Sequence, residues 1–161
     1  MVNSSALVQQ EIADPMSRLS SVQSKRSVGR RNTAGQKSNV VRMAFDADRG
    51  ISKAVAEQLF RRVAATSPMP PGKLRAELIP DSSWKRARKK LGPQASQTAA
   101  RVSHILSVAE RVWGNEKDAT SWLNSPHIEL GGATPLSFLK TEAGGRAIEY
   151  LLGALDYGFP V

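Results

Sequence analysis

Cysteine is absent from the 161 residues, which excludes disulfides, thiolate metal sites and a cysteine nucleophile. Histidine is scarce. Only His104 and His127 occur, 23 positions apart, so neither a histidine-rich metal site nor a two-histidine acid–base pair is expected. Aromatic residues make up 6% of the chain, and no apolar run approaches the roughly 18 residues of a membrane span. Residues 1–10 hold no charged segment followed by an apolar one, so the expectation is a cytoplasmic chain without a secretory signal. No Gly-rich loop with Lys and Ser/Thr behind it is present, and Gly144-Gly145 does not make a phosphate loop.

Positive charge is what the chain does have. Lys and Arg number 23 against 14 Asp and Glu, a formal +9 with a sequence pI near 10.4. The excess is uneven. Residues 1–45 carry seven basic and two acidic residues, residues 46–90 eleven and five, and residues 91–161 five and seven. An anion-binding first half and a partner-binding second half are the expectation. At 40% hydrophobic, the chain still has enough apolar residues for a core.

Residues 1–45 read as a basic, flexible leader. Its centre is rich in Ser, Gly, Asn and Gln, with the pairs Lys25-Arg26 and Arg30-Arg31 and no sustained apolar period. From about Asp46 the pattern turns helical. Ser52 can cap a helix to about Ala65 with Val55, Leu59, Phe60 and Val63 as its apolar stripe. The proline-rich run from Ser67 breaks it, Pro71 opens a short helix through Leu74 and Leu78, and Pro80 stops that one. Asp81 or Ser82 then caps a third helix through Lys90, with Trp84, Ala87 and Leu91 along one narrow edge and basic residues around the rest.

The clearest helix runs from about Ser96 to Trp113. Ala99, Val102, Ile105, Leu106, Ala109, Val112 and Trp113 form its stripe, and Gly114 closes it. Asn115 with Asp118 reads as a capping pair for a helix through Trp122 and Leu123. Gly131-Gly132 is a turn, Thr134-Pro135 opens another helix, and Thr141 caps the last, with Ile148, Leu151, Leu152 and Leu155 in register. No alternating strand pattern of useful length appears. The fold class is therefore all-α: a helix-turn-helix region over 46–95, then a compact helical domain over 96–161.

The third helix carries the strongest chemical signal. A short helix precedes it across a tight turn, which is helix-turn-helix spacing. Ser82, Ser83, Lys85 and Arg86 are the candidate base readers, with Arg88, Lys89 and Lys90 on phosphates. A solvated basic helix is the plain alternative. The three tryptophans read as core. Glu142 and Glu149, two turns apart, are the nearest thing to a paired-carboxylate site, but no nucleophile–base set accompanies them. No catalytic residues, cofactor or metal are expected, and the chain reads as a non-enzyme. The closing residues Tyr157, Gly158, Phe159, Pro160 and Val161 set two aromatics beside a chain-end carboxylate. They suit either a partner's pocket or a hydrophobic cap on their own helix.

Several segments taken together resemble the antitoxins of the Xre/MbcA/ParS type. They are Ser83-Trp84-Lys85-Arg86, Leu91 with Ser96 and Arg101, and Ala109-Glu110-Arg111-Val112-Trp113-Gly114. Ala119-Thr120-Ser121-Trp122-Leu123, Leu130-Gly131-Gly132-Ala133-Thr134-Pro135-Leu136, Thr141-Glu142-Ala143-Gly144 and Asp156-Tyr157-Gly158 follow in order. The resemblance covers residues 82–161, with 46–81 like the family's variable helix-turn-helix start. It implies a cognate RES-domain toxin that consumes NAD⁺, neutralised by direct binding. The antitoxin's C-terminal end, here Tyr157 to Val161, would block the toxin's cleft. It further implies autorepression through operator DNA, a homodimer, and a hetero-oligomer with the toxin. Where the family often has Thr and paired Arg, this chain has Ser83 and Arg86-Ala87, and its linker before Leu91 is shorter. A stand-alone helix-turn-helix regulator is the alternative function.

Overall fold

The computed structural model describes residues 49–157; the leader over 1–45 and the closing Gly158, Phe159, Pro160 and Val161 lie outside the described residues. Among the described residues there are seven α-helices and no strand, as the all-α reading expects. They are α1 (Lys53–Val63), α2 (Pro71–Leu78), α3 (Asp81–Arg86), α4 (Pro93–Trp113), α5 (Glu116–Asn124), α6 (Pro135–Phe138) and α7 (Glu142–Tyr157).

Most of the helix ends obey their local chemistry. Proline stands at the first position of α2, α4 and α6, where its missing N–H costs nothing. Gly114 ends α4 at φ 79°, in the left-handed region that a side chain resists. Asn115 Oδ1 accepts from the amide of Asp118 at 2.8 Å, and Thr141 Oγ1 accepts from the amide of Gly144 at 3.0 Å. The amide of Ser137 reaches Thr134 Oγ1 at 3.4 Å, a longer version of the same cap.

Helix α4 is the centre of the fold. Thirteen of its 21 residues are buried, on more than one face. The expected stripe of Ala99, Val102, Ile105, Leu106, Ala109, Val112 and Trp113 is buried throughout. α7 lies on one flank through Ile148 and Leu152, both fully buried, and α5 folds back on it beyond Gly114 with Ala119, Trp122 and Leu123 inward. α1 takes a third side. Its buried positions are Ala56, Leu59, Phe60 and Val63; Val55, expected in that stripe, is 42% exposed. Ala56 is three residues before Leu59, so the stripe begins one residue later than the hydrophobic pattern alone places it.

Buried polar side chains fix how α1 sits. Ser96, Ser103 and Glu110 recur every seven residues on α4. Ser96 Oγ accepts from the amide of Ile51 at 3.0 Å and donates to the carbonyl of Leu91 at 3.2 Å. Glu110 accepts from Arg62 Nη2 at 2.8 Å, while Arg62 Nε reaches Glu116 at 2.8 Å. Residues 51 and 62 therefore meet 96 and 110, so α1 runs alongside α4 in the same direction. Asn124 of α5 completes the clamp, donating to the carbonyl of Val63 at 2.8 Å. Burial holds the Glu110 carboxyl above its ordinary range, against the pull of Arg62, and Glu116 pushes the same way as burial.

A carboxyl with a raised folded pKa favours the native state most at low pH, and that contribution falls away as pH rises through the raised value. Arg62→Ala should accordingly cost about 1–2 kcal/mol at pH 7, a partly exposed pair being worth less than a buried one. In that background stability should rise as pH is lowered from 7 to 5, and Glu110→Gln should recover most of the loss at pH 7. Urea unfolding at several pH values reads both effects.

Candidate functional site

The basic region departs from its expected form. α3 begins at Asp81 as anticipated but ends at Arg86, not Lys90. Ala87 is extended, at φ −72° and ψ 116°, and the chain continues without helix through Arg88, Lys89 and Lys90. Two facts account for this. Of the cations from Lys85 to Lys90, Lys85 alone has an acid four positions away, Asp81, so the rest would repel one another within a helix. The extended form also finds backbone partners. Lys53 N donates to Lys89 O, and Leu91 N to Ile51 O, both at 2.9 Å, giving an isolated antiparallel bridge between Ser52 and Lys90. Gly50, at φ 83°, makes the close turn: an added Cβ would stand 3.0 Å from the carbonyl of Leu91.

Candidate readers and phosphate contacts thus sit on different elements. Ser82, Ser83, Lys85 and Arg86 are on α3; Arg88 and Lys89 are on the bend that follows it, and Lys90 is in the bridge to Ser52. Ser82, Lys85, Arg86, Arg88, Lys89 and Lys90 are exposed and Ser83 is half-buried. Ala87 and Leu91 turn inward at either end of the basic stretch. Lys90 Nζ donates to the carbonyl of Arg49 at 3.3 Å.

The turn between α2 and α3 is held by Arg75. Its guanidinium donates to Asp81 Oδ1 at 2.6 Å and to the carbonyl of Ile79 at 3.3 Å. It also stacks 4.7 Å from the centroid of the Trp84 ring. Lys53 lies 5.3 Å from the same ring and donates to the carbonyl of Ala87 at 3.1 Å. Trp84 meets Phe60 edge to face at 6.3 Å. It is half-buried between two cations rather than a core residue as expected, whereas Trp113 and Trp122 are buried. The hydrogen bond from Arg75 keeps the Asp81 carboxyl below the usual range, so α3 starts on a satisfied charge. Arg75 carries no distinguishing signal in the sequence; a basic residue six positions before an acid is too common to single out.

The second half is organised around close approaches. An added Cβ at Gly144 would run into the carbonyl of Phe138, and at Gly145 into the Arg101 side chain. Arg101 Nη1 donates to the carbonyl of Leu139 at 2.8 Å, tying α4 to the end of α6. Gly144-Gly145 therefore serves packing. Glu142 pairs with Arg146 and Glu149 with His104, both at 2.9 Å, so each carboxylate of the candidate pair faces its own basic partner. The loop after α5 closes on itself: His127 N donates to Ala133 O, and Gly132 N to His127 O. His127 Nε2 stands 3.1 Å from the carbonyl of Trp122, and its ring lies 5.2 Å from that indole. Tyr157 is the last residue of α7; the rest of the expected blocking end lies outside the described residues.

Residues 108–158 match the family model described as the antitoxin Xre/MbcA/ParS C-terminal toxin-binding domain. That span runs from the last turns of α4 through α7. Antitoxin Xre of Yersinia enterocolitica is 35% identical over 89 residues, covering 53% of this chain and 60% of its own. Antitoxin Xre of Pseudomonas putida is 34% identical over 59 residues, 37% of each chain. Antitoxin Xre of Photorhabdus laumondii is 34% identical over 64 residues, 39% of this chain and 43% of its own. The chain thus spans between about a third and three fifths of the length of these relatives. The likeness to Xre/MbcA/ParS-type antitoxins seen in the sequence is borne out, by the family model over residues 108–158.

Arg75→Ala should move the Trp84 indole N–H resonance while leaving those of Trp113 and Trp122 in place, and cost about 1–2 kcal/mol. Gly144→Ala should cost about 1–3 kcal/mol, because the obstructing atom is backbone. Spectra and thermal melts of the two variants read these effects.

Proposed function

We propose that this chain is the antitoxin of a type II toxin–antitoxin pair, on the match of residues 108–158 to the Xre/MbcA/ParS toxin-binding domain and the likeness to Xre antitoxins. It binds and inhibits a RES-domain toxin that degrades NAD⁺, and it does no chemistry of its own. The observation that carries this reading is the match of residues 108–158 to a toxin-binding domain, in a chain that also carries a basic region at α3 and just after it. The toxin-facing end is Tyr157, Gly158, Phe159, Pro160 and Val161, delivered by α7. A cleft that takes NAD⁺ must hold a diphosphate and is expected to be basic. The aromatic residues Tyr157 and Phe159 suit the ring sites of such a cleft, and a rigid helix in front lowers the ordering cost of binding.

The basic half then supplies autorepression at operator DNA. Lys85 and Arg86 on α3 approach base edges, with Ser82 and Ser83 beside them, and Arg88, Lys89 and Lys90 neutralise phosphate from the segment that follows. A homodimer would present two such units to paired half-sites and bind toxin as a hetero-oligomer. A stand-alone regulator is favoured only if no toxin gene accompanies this one; the exposed cations of residues 85–90 support DNA binding in either case.

Deleting Tyr157 through Val161 should abolish protection against the toxin while leaving DNA binding intact; surviving protection would refute the blocking role. Lys85→Ala with Arg86→Ala should weaken operator binding and lower the slope of log affinity against log salt by about 0.9 for each phosphate no longer neutralised. Titration of labelled operator at several salt concentrations measures that slope, and an unchanged one removes this helix from the DNA interface.

A further inference from the structure

Among the described residues three large hydrophobic side chains are exposed: Val55, Tyr150 at 81% and Ile128 at 93%. Tyr150 carries a hydroxyl that water satisfies. Ile128 has no polar atom in its side chain, and it is the most exposed of the three. A single exposed aliphatic on a loose surface is ordinary. The backbone beneath Ile128 is not loose. It forms the one-turn 3-10 helix Ile128–Leu130. Gly131, at φ 64°, and Gly132, at φ 81°, reverse the chain, and hydrogen bonds at 2.9–3.2 Å knit residues 127–133 together. His127 anchors the loop from below on the Trp122 ring and carbonyl, and Trp122 in turn lies 6.4 Å from Trp113. Glu129, also exposed, flanks the tip. An apolar knob with a charged neighbour is thus held on a rigid base built from the aromatic core.

We propose that Ile128 is a pre-formed anchor that inserts into an apolar pocket of the cognate toxin, at a second contact separate in sequence from the closing residues Tyr157–Val161. This rests on the antitoxin reading above. The partner follows from position: the knob lies wholly within residues 108–158, the segment matched to a toxin-binding domain. A rigid loop loses little freedom on binding, so a buried aliphatic there contributes nearly its full apolar area. A second copy of this chain is the competing occupant, and self-association of the wild type and Ile128→Asp distinguishes it.

The test is calorimetric titration of the full-length chain with its toxin, comparing wild type, Ile128→Val and Ile128→Asp. The Ile128 side chain stands in solvent, so melting temperatures should be unchanged and loss of binding cannot be loss of fold. The expected result is a Kd at least about tenfold weaker for Ile128→Asp, a change under about threefold for Ile128→Val, and retained operator binding by both. A Kd for Ile128→Asp within about twofold of wild type overturns the inference and leaves the antitoxin reading standing. So does a loss of self-association by Ile128→Asp with toxin affinity unaltered, which would assign the knob to a second copy. A wild-type chain that shows no binding at all overturns both.

Discussion

Past its first turn, helix α4 leaves to water only the strip that carries Gln97, His104 and Arg111, and the rest of the fold answers to that constraint. With 13 of 21 residues buried, it needs partners on several sides at once. α5 and α7 supply apolar partners from the C-terminal side of the sequence and α1 from the N-terminal side. Neither the basic region nor the segment matched to a toxin-binding domain has this core to itself. The segment matched over 108–158 contains only the last six residues of α4, and the remainder of that helix belongs to what lies before it.

Polar contacts set the alignment that apolar contacts leave loose. Ile51, just before α1, and Arg62, near its end, are fixed to Ser96 and Glu110 on α4, and Asn124 of α5 caps the carbonyl of Val63. The non-helical segment carrying Arg88 and Lys89 is hydrogen-bonded to the start of α1. α1 therefore touches the basic segment at its beginning and the matched domain at its end. Arg101 and the paired glycines do the same between α4, α6 and α7, where a side chain at Gly144 would collide with backbone.

Much of this was legible. The stripe of α4 was readable because its apolar residues kept helical spacing along the length of the helix, and Gly114, Asn115, Thr134 and Thr141 marked ends by mechanisms that act within a single turn. What escaped was long-range. Helix α3 stops at Arg86 because residues 51–53, far earlier in the chain, offer backbone partners to Lys89–Leu91. Val55 lost its place to Ala56 because small residues leave a weak signal in a hydrophobic pattern, yet fit a close helix contact. Of the candidate site, the basic residues were visible as composition; the Arg75 clamp on Asp81 and Trp84 and the locked tip at Ile128 depend on geometry that spacing does not encode.

The central claim is that this chain silences a partner. It is tested most directly by purifying the chain together with the product of its neighbouring gene and measuring NAD⁺ consumption by the complex and by the partner alone. The expected result is a stable complex that leaves NAD⁺ intact and a free partner that consumes it. A partner that fails to co-purify, or that leaves NAD⁺ untouched when free, would contradict it.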